Sequence, residues 1–553
     1  MNLLTDPWIP IRTRNGTVRS IRIAELLPSA NDTAAFDDPI EFASPREDFD
    51  AALAQFLIGV LDLVFALDGE DQWREWNDQP PTREELDEAL SAWAYAFELF
   101  GERPFLQDPS VEGEARSPAS LLLDLPGDNA LENNTDFFVK RREVFPMSPA
   151  VAAMALLTLQ TNAPSGGKGF RTSVRGGGPL TTLLWPNAES PALFRKLWAN
   201  VSINAGAESI EPTAVLPWLS DVLVSTDQQD VLTQLRQRLG RVASSDERRL
   251  LCYFAAPRRV LLQRAPADGA RCALTGAHSD ELVIAYRAQN YGPNLLSHLF
   301  DHPLSPYYYD KKNEQWLPQH IGERGFTYAD WVQLASGSAN EREKPAAIVT
   351  RGMVHRARQL RAQSLDAEIP VWACAYQMDN MKVLSWHSAR LPTFPGLDPD
   401  HRSELRAFAQ QLIAGAEAAI SELSKALRRA WTHGGKGDTS VPSRDLMALT
   451  EAEFYERLRW AAAERRSADA DLDMRKSWRS CLHWTVMRLF ELHAERAVEE
   501  VSTLGAIQRA AEAHASLRRF LGAALDKALE IPRPVTSKPK AAGSRGGKKK
   551  EAA

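Results

Sequence analysis

The 553-residue chain exceeds the ~250–300 residues at which a single core stops growing, so more than one domain is expected. Its hydrophobic share of 44% and charged share of 25% are ordinary globular values, arguing against wholesale disorder and against a membrane-embedded protein. A net charge of -7 excludes a chain that coats phosphates over its whole surface, so any basic region must be local.

The opening MNLLTDPWIPIRTRNG has no basic region followed by an apolar run. No later stretch approaches the ~18 uncharged apolar residues of a membrane span, so a cytoplasmic chain with no membrane partner is expected. Trp8 to Arg12 is apolar-rich, Asn15-Gly16 offers the pair of a type I′ turn, and Val18 to Ile23 returns, predicting a hairpin. Ser44-Pro45 with Glu47 predicts the start of an apolar helix through Leu53, Phe56, Leu57, Val60 and Leu61. Thr82 with Glu85 predicts another start. Ser148-Pro149 predicts a third helix, Ala150 to Gln160, apolar on nearly all sides and therefore buried.

Where that helix stops, a glycine-rich loop runs from Asn162 to Pro179. Gly166, Gly167, Gly169, Gly176, Gly177 and Gly178 alternate with Lys168, Arg171 and Arg175. Glycine lets backbone N–H groups converge on a phosphate or base edge, and the cations supply charge. Lys168 is followed by Gly169 where a Walker motif needs Ser or Thr for magnesium, so nucleotide hydrolysis is disfavoured. Two readings stay open on composition: a nucleic-acid or phosphate contact, and a surface loop whose glycines only permit turns.

From Leu282 to Pro370 short β-rich runs mix with turns and helical stretches, an irregular α+β pattern. Gln289-Asn290-Tyr291-Gly292-Pro293 and Gln377-Met378-Asp379-Asn380-Met381-Lys382 combine amides with apolar or aromatic residues. Amides read base edges and apolar side chains wedge between base steps, although an ordinary turn and a strand end fit both strings equally. Asp398 with Pro399 predicts the start of a long amphipathic helix. Thr450 with Glu453 predicts a second; Leu482, Met487 and Phe490 mark a third, and Leu517, Leu521 and Leu525 a fourth. The fold class expected is α+β: a large mixed, irregular N-terminal domain (residues 1–395) followed by a C-terminal four-helix bundle (398–530). Residues 531–553, rich in Pro, Gly and Lys, are expected to form a disordered basic tail.

Chemistry has few candidates. Cys252, Cys272, Cys374 and Cys481 form no CxxC pair, and His298 with His302 lacks the glutamate of HExxH, so no metal site is assigned. No GxSxG elbow occurs, leaving no catalytic residue and no cofactor to name.

Several strings occur in a telling order: Asn2-Leu3-Leu4 with Trp8-Ile9-Pro10, Arg103-Pro104-Phe105-Leu106-Gln107, Ala163-Pro164 through Gly169-Phe170 to Arg175-Gly176-Gly177, and His302-Pro303 with Ser305-Pro306. Together they resemble the large subunit of the type I-E CRISPR Cascade surveillance complex, the CasA family. The resemblance implies a non-enzymatic subunit that recognises the protospacer-adjacent motif in duplex DNA from the minor groove. It implies help in strand opening and R-loop formation, and recruitment of a helicase-nuclease in antiviral defence. Implied partners are CRISPR RNA, double-stranded target DNA, the backbone and guide-end-binding subunits, and the small subunit in the belly. By position, the family's glycine loop falls on Gly166, Gly167, Lys168 and Gly169, and its lysine finger on Gln289, Asn290 and Tyr291. The wedge falls on Met378, Asp379, Asn380 and Met381, and the guide-RNA contact on Asn134, Phe137 and Phe138. This chain departs from the family in carrying its lysine inside the glycine loop and none in the finger. A phosphate-ligand enzyme using the loop and a purely structural scaffold remain the alternatives.

Overall fold

A computed structural model describes residues 1–27, 37–125, 145–167, 169–186, 192–203, 209–360, 368–379, 382–431, 437–463, 467–501 and 503–532. The chain divides into two compact units, Met1–Arg406 and Ala407–Ala553. The first mixes strands and helices and the second is helical, the α+β class with a C-terminal helical region that the periodicities indicate.

The first unit opens with β1 (Ile9–Thr13) between β2 (Val18–Ile21) and β3 (Pro39–Phe42), all antiparallel. The β1–β2 connection is not a type I′ turn. Gly16 N–H donates to Thr13 O at 2.9 Å, Gly16 takes φ +88°, and Thr13 N–H donates to Thr17 O. This is a longer turn closed by a left-handed glycine, because the Asn15 side chain accepts from Thr17 N–H at 2.9 Å and holds the extra residue.

Helix α1 (Glu47–Phe65) crosses the centre, buried on almost every side. It begins after Arg46 rather than at the expected Ser44 cap. The Ser44 hydroxyl turns to Arg46 O, and the Asp50 carboxylate takes the Ser44 N–H at 3.2 Å. Thr82 does cap α2 (Arg83–Ser91), in a capping box with Glu85. Helix α3 (Pro149–Asn162) packs on α1, as does α4 (Ser245–Phe254). Arg249 of α4 clamps the buried Asp62 of α1 with two bonds of 3.0 and 3.1 Å.

The strings that carried the resemblance are mostly core. Leu3, Leu4, Trp8 and Phe105 are buried, and Phe56, Phe97, Phe105, Trp218 and Phe254 form a ring cluster with Phe105 and Trp218 centroids 4.8 Å apart. Gln107 fastens this cluster to the chain by donating to Leu99 O and accepting from Leu262 N–H, each at 2.8 Å.

Three further sheets follow. Strand β4 (Thr181–Leu184) pairs with β10 (Val371–Asp379), which forms a long hairpin with β11 (Lys382–Leu391). Strands β5 (Arg259–Pro266) and β6 (Glu281–Gln289) make a second hairpin, and β7 (Tyr307–Asp310) lies between β8 (Gln315–Pro318) and β9 (Glu343–Lys344).

The second unit holds most of α5 (Pro399–Trp431), then α6 (Ser440–Ala463), α7 (Ala468–Val501) and α8 (Leu504–Ala528). Asp398 accepts from the N–H of Asp400 and His401, so the expected start of α5 stands. Thr450 is not a cap: it lies buried inside α6 with its hydroxyl donating to Leu446 O at 2.7 Å, a bond equally available to Thr within a helix. Trp478 anchors this unit, its indole N–H donating to Leu412 O at 2.9 Å. Of the basic tail, residues 533–553 lie outside the described residues. Among the described residues no single helix is long and apolar enough to cross a membrane.

Candidate nucleic-acid interface

The glycine loop leaves the C-terminal end of α3 and re-enters the fold as β4, so both its ends are tied to buried elements. Gly178 N–H donates to Asn162 O at 3.1 Å and closes the loop's base. The tip is more open: Ser165 and Gly167 are exposed and Gly166 and Gly169 half-buried. Lys168 lies outside the described residues.

Two distant segments meet this loop. The first is the end of β6. Tyr291 N–H donates to Gly169 O at 2.7 Å, and a Cβ at Gly169 would stand 3.0 Å from Asn290 Cβ and from the Tyr291 ring. Gly169 takes φ +82°, so both its conformation and its neighbours demand glycine. Tyr291 itself takes φ +62°, a left-handed geometry that its surroundings enforce. Arg259 donates to Asn290 O, Ser225 N–H to Tyr291 O and the Ser225 hydroxyl to Gly292 O at 2.6 Å. These three backbone carbonyls are thus engaged, while the Gln289 side chain is exposed at the rim.

The second segment is the β10–β11 hairpin. A Cβ at Gly178 would meet Tyr376 O at 2.6 Å and Met378 Cε at 2.8 Å, and one at Gly177 would meet Met378 Sδ at 3.2 Å. The second glycine run is therefore a seat for the hairpin. Asp379 pairs with Lys382 across the hairpin, and both are exposed. Asn380 and Met381, and Asn134, Phe137 and Phe138, lie outside the described residues.

The loop arginines differ from expectation. Arg171 donates to Ser225 Oγ at 2.8 Å and Ser225 O at 2.9 Å, locking the loop to the segment that holds Tyr291. Arg175 is 2% exposed and bonds Thr181, Ser305 and Gln55, so it supports the loop from beneath and offers no charge to a phosphate. Sequence reading also missed Arg258, whose guanidinium lies 4.8 Å from the Phe170 ring centroid and donates to Pro164 O. Burial pushes the Arg258 pKa down to about 10, which leaves it charged at neutral pH. No local pattern marks it; its partners lie some ninety positions earlier in the chain.

His298 and His302 do not share a helix. His298 sits in a short 3₁₀ turn (Ser297–Leu299), while His302 is buried beyond its end. Among the described residues no cluster of three or more His, Cys, Asp or Glu side chains is placed to hold a metal ion.

A large mixed unit followed by a helical unit is the arrangement this chain shares with solved CasA/Cse1 structures. CasA from Thermus thermophilus has this fold with a TM-score of 0.64 at 19% identity, over 95% of this chain and 99% of that one. Cse1 from Thermobifida fusca gives a TM-score of 0.66 at 18% identity, over 96% and 98% of the two chains. A chain of a CRISPR RNA-guided surveillance complex gives 0.60 at 18% identity, over 94% and 99%. The model of the CRISPR-associated protein Cse1 family matches residues 2–489, and the chain belongs to that family, the large subunit of type I-E Cascade.

Proposed function

We propose that this chain reads a short motif in duplex DNA through the minor groove and opens the adjoining base pairs for the guide RNA. The observation that supports this reading most is the meeting at Gly169 of the glycine loop with the Gln289–Tyr291 finger, beside the hairpin seated on Gly177 and Gly178. Exposed glycine backbone approaches a groove closely, Lys168 supplies the charge, and Gln289 and Asn290 supply donors and acceptors at base edges. Because the minor groove displays a degenerate pattern, the motif preference is tolerant. Met378, Asp379, Asn380 and Met381 act as the wedge that enters as the first base pair parts, an apolar insertion of the kind that unstacks a step.

Division of labour follows: this subunit reads the short motif and base pairing with CRISPR RNA reads the rest. Asn134, Phe137 and Phe138 contact the guide RNA, and the helical unit serves the neighbouring subunits and the helicase-nuclease that destroys the target. The chain acts by binding and performs no chemistry of its own, in the cytoplasm, as part of antiviral defence.

The test is Lys168→Ala in the assembled complex. Affinity for motif-bearing duplex should fall and the salt dependence flatten by about one phosphate contact, with assembly intact. Unchanged affinity and slope at physiological salt would remove Lys168 from the interface.

A further inference from the structure

Two strings singled out in the sequence find no use in DNA reading: Arg175, within the glycine run, and His302 to Ser305. They meet around one small cavity beneath the loop, lined by Gln55, Ser173, Arg175, Cys252, Tyr253 and His302 among others.

Among the described residues Arg175 carries a charge with no opposite charge beside it. Its Nη1 donates to the hydroxyls of Thr181 at 2.9 Å and Ser305 at 3.0 Å, its Nη2 to the Gln55 amide oxygen, and its Nε is buried without a partner among the described residues. All three acceptors are neutral. The acidic groups that act on it most strongly are Tyr307, Cys252, Cys374 and Tyr253. Burial pushes both thiols up to about 12 and raises both phenols, so none is ionised at neutral pH. A buried cation in such company is costly unless something negative joins it.

His302 contributes a donor, not a second charge. Its Nδ1 accepts from Leu304 N–H at 3.1 Å, so the neutral ring carries its proton on Nε2. Burial, and then the neighbouring Arg175, hold its pKa well below the usual value and keep the ring neutral.

We propose that this cavity binds one halide ion, chloride in cellular salt, against the Arg175 guanidinium and the His302 imidazole. Its volume of about 20 Å³ leaves room for one small occupant. The ion neutralises Arg175 and fixes the base from which the glycine loop rises.

Bromide is the probe. Crystals of the full chain grown with bromide in place of chloride should show an anomalous peak between Arg175 and His302; none at full bromide occupancy of the medium overturns the site. In solution, replacing gluconate by chloride at constant ionic strength should raise Tm saturably, on the order of 2 °C. Arg175→Met should abolish the rise. Equal wild-type Tm in gluconate and chloride, the mark of a bound water instead, refutes the proposal without any need for the variant to fold.

Discussion

Replacing Gly169 by Ala should separate the finger contact from ordinary loop strain, because Gly167 supplies a matched control. Both glycines take positive φ, +82° and +70°, so an alanine at either carries the same backbone penalty, roughly 1–2 kcal/mol for an L-residue in the left-handed region. They differ in what a methyl group meets. At Gly167 an added Cβ meets nothing within 4 Å among the described residues beyond its chain neighbours, whereas at Gly169 the new carbon stands 3.0 Å from Asn290 Cβ and from the Tyr291 ring. The finger cannot simply yield, since Arg259 and Ser225 hold the Asn290, Tyr291 and Gly292 carbonyls and Gly292 leaves no slack, a Cβ there falling 2.1 Å from Pro257 O. Overpacking of this kind costs about 1–3 kcal/mol, so Gly169→Ala should weaken motif binding by roughly 5- to 150-fold relative to Gly167→Ala. The assay is equilibrium binding of the assembled complex to motif-bearing duplex, with thermal melts of each variant to confirm folding. Equal losses in the two variants would refute a functional coupling between loop and finger.

Joint replacement of Met378, Asn380 and Met381 by Ala should leave first contact with duplex in place and slow strand opening, read by a fluorescent base analogue beside the motif; unchanged opening rates would sink the wedge. Asp50 gives a pH signature. Burial, with Glu47 and Asp48 nearby, pushes its pKa up to about 6 from 3.8 despite the bonds from Ser44. A carboxyl raised in the folded state stabilises most below pH ~4, and that contribution is lost as pH climbs through about 6. Asp50→Asn should therefore gain about 1–3 kcal/mol over the wild type at pH 7.5 and nothing at pH 4 in urea denaturation. A gain at both values would mean that charge is not the cause.

The helical unit was the more legible half, because a long amphipathic repeat is local information. Even there Thr450 misled: a Thr-x-x-Glu string reads as a cap, but inside α6 the hydroxyl found a carbonyl of its own helix. The glycine loop was legible as unusual but not as a junction. Its dependence on Tyr291 and Met378 joins positions more than a hundred residues apart, the first at the end of β6 and the second through a β4–β10 pairing that no spacing in the sequence announces. Charge was the least legible feature. Arg171 and Arg175 look like phosphate ligands in the string, and only their partners show that one ties the loop to Ser225 and the other supports it from below.

Groove choice is the central claim, and base analogues test it directly. Inosine for guanine removes the amino group from the minor groove, diaminopurine for adenine adds one there, and both leave major-groove hydrogen bonding largely intact. Deazaguanine alters the major groove alone. If the loop and finger read the minor groove, inosine or diaminopurine in the motif should change the affinity of the assembled complex by about 1–3 kcal/mol at a read position while deazaguanine leaves it unchanged. Sensitivity to deazaguanine, with indifference to the other two, would contradict the account.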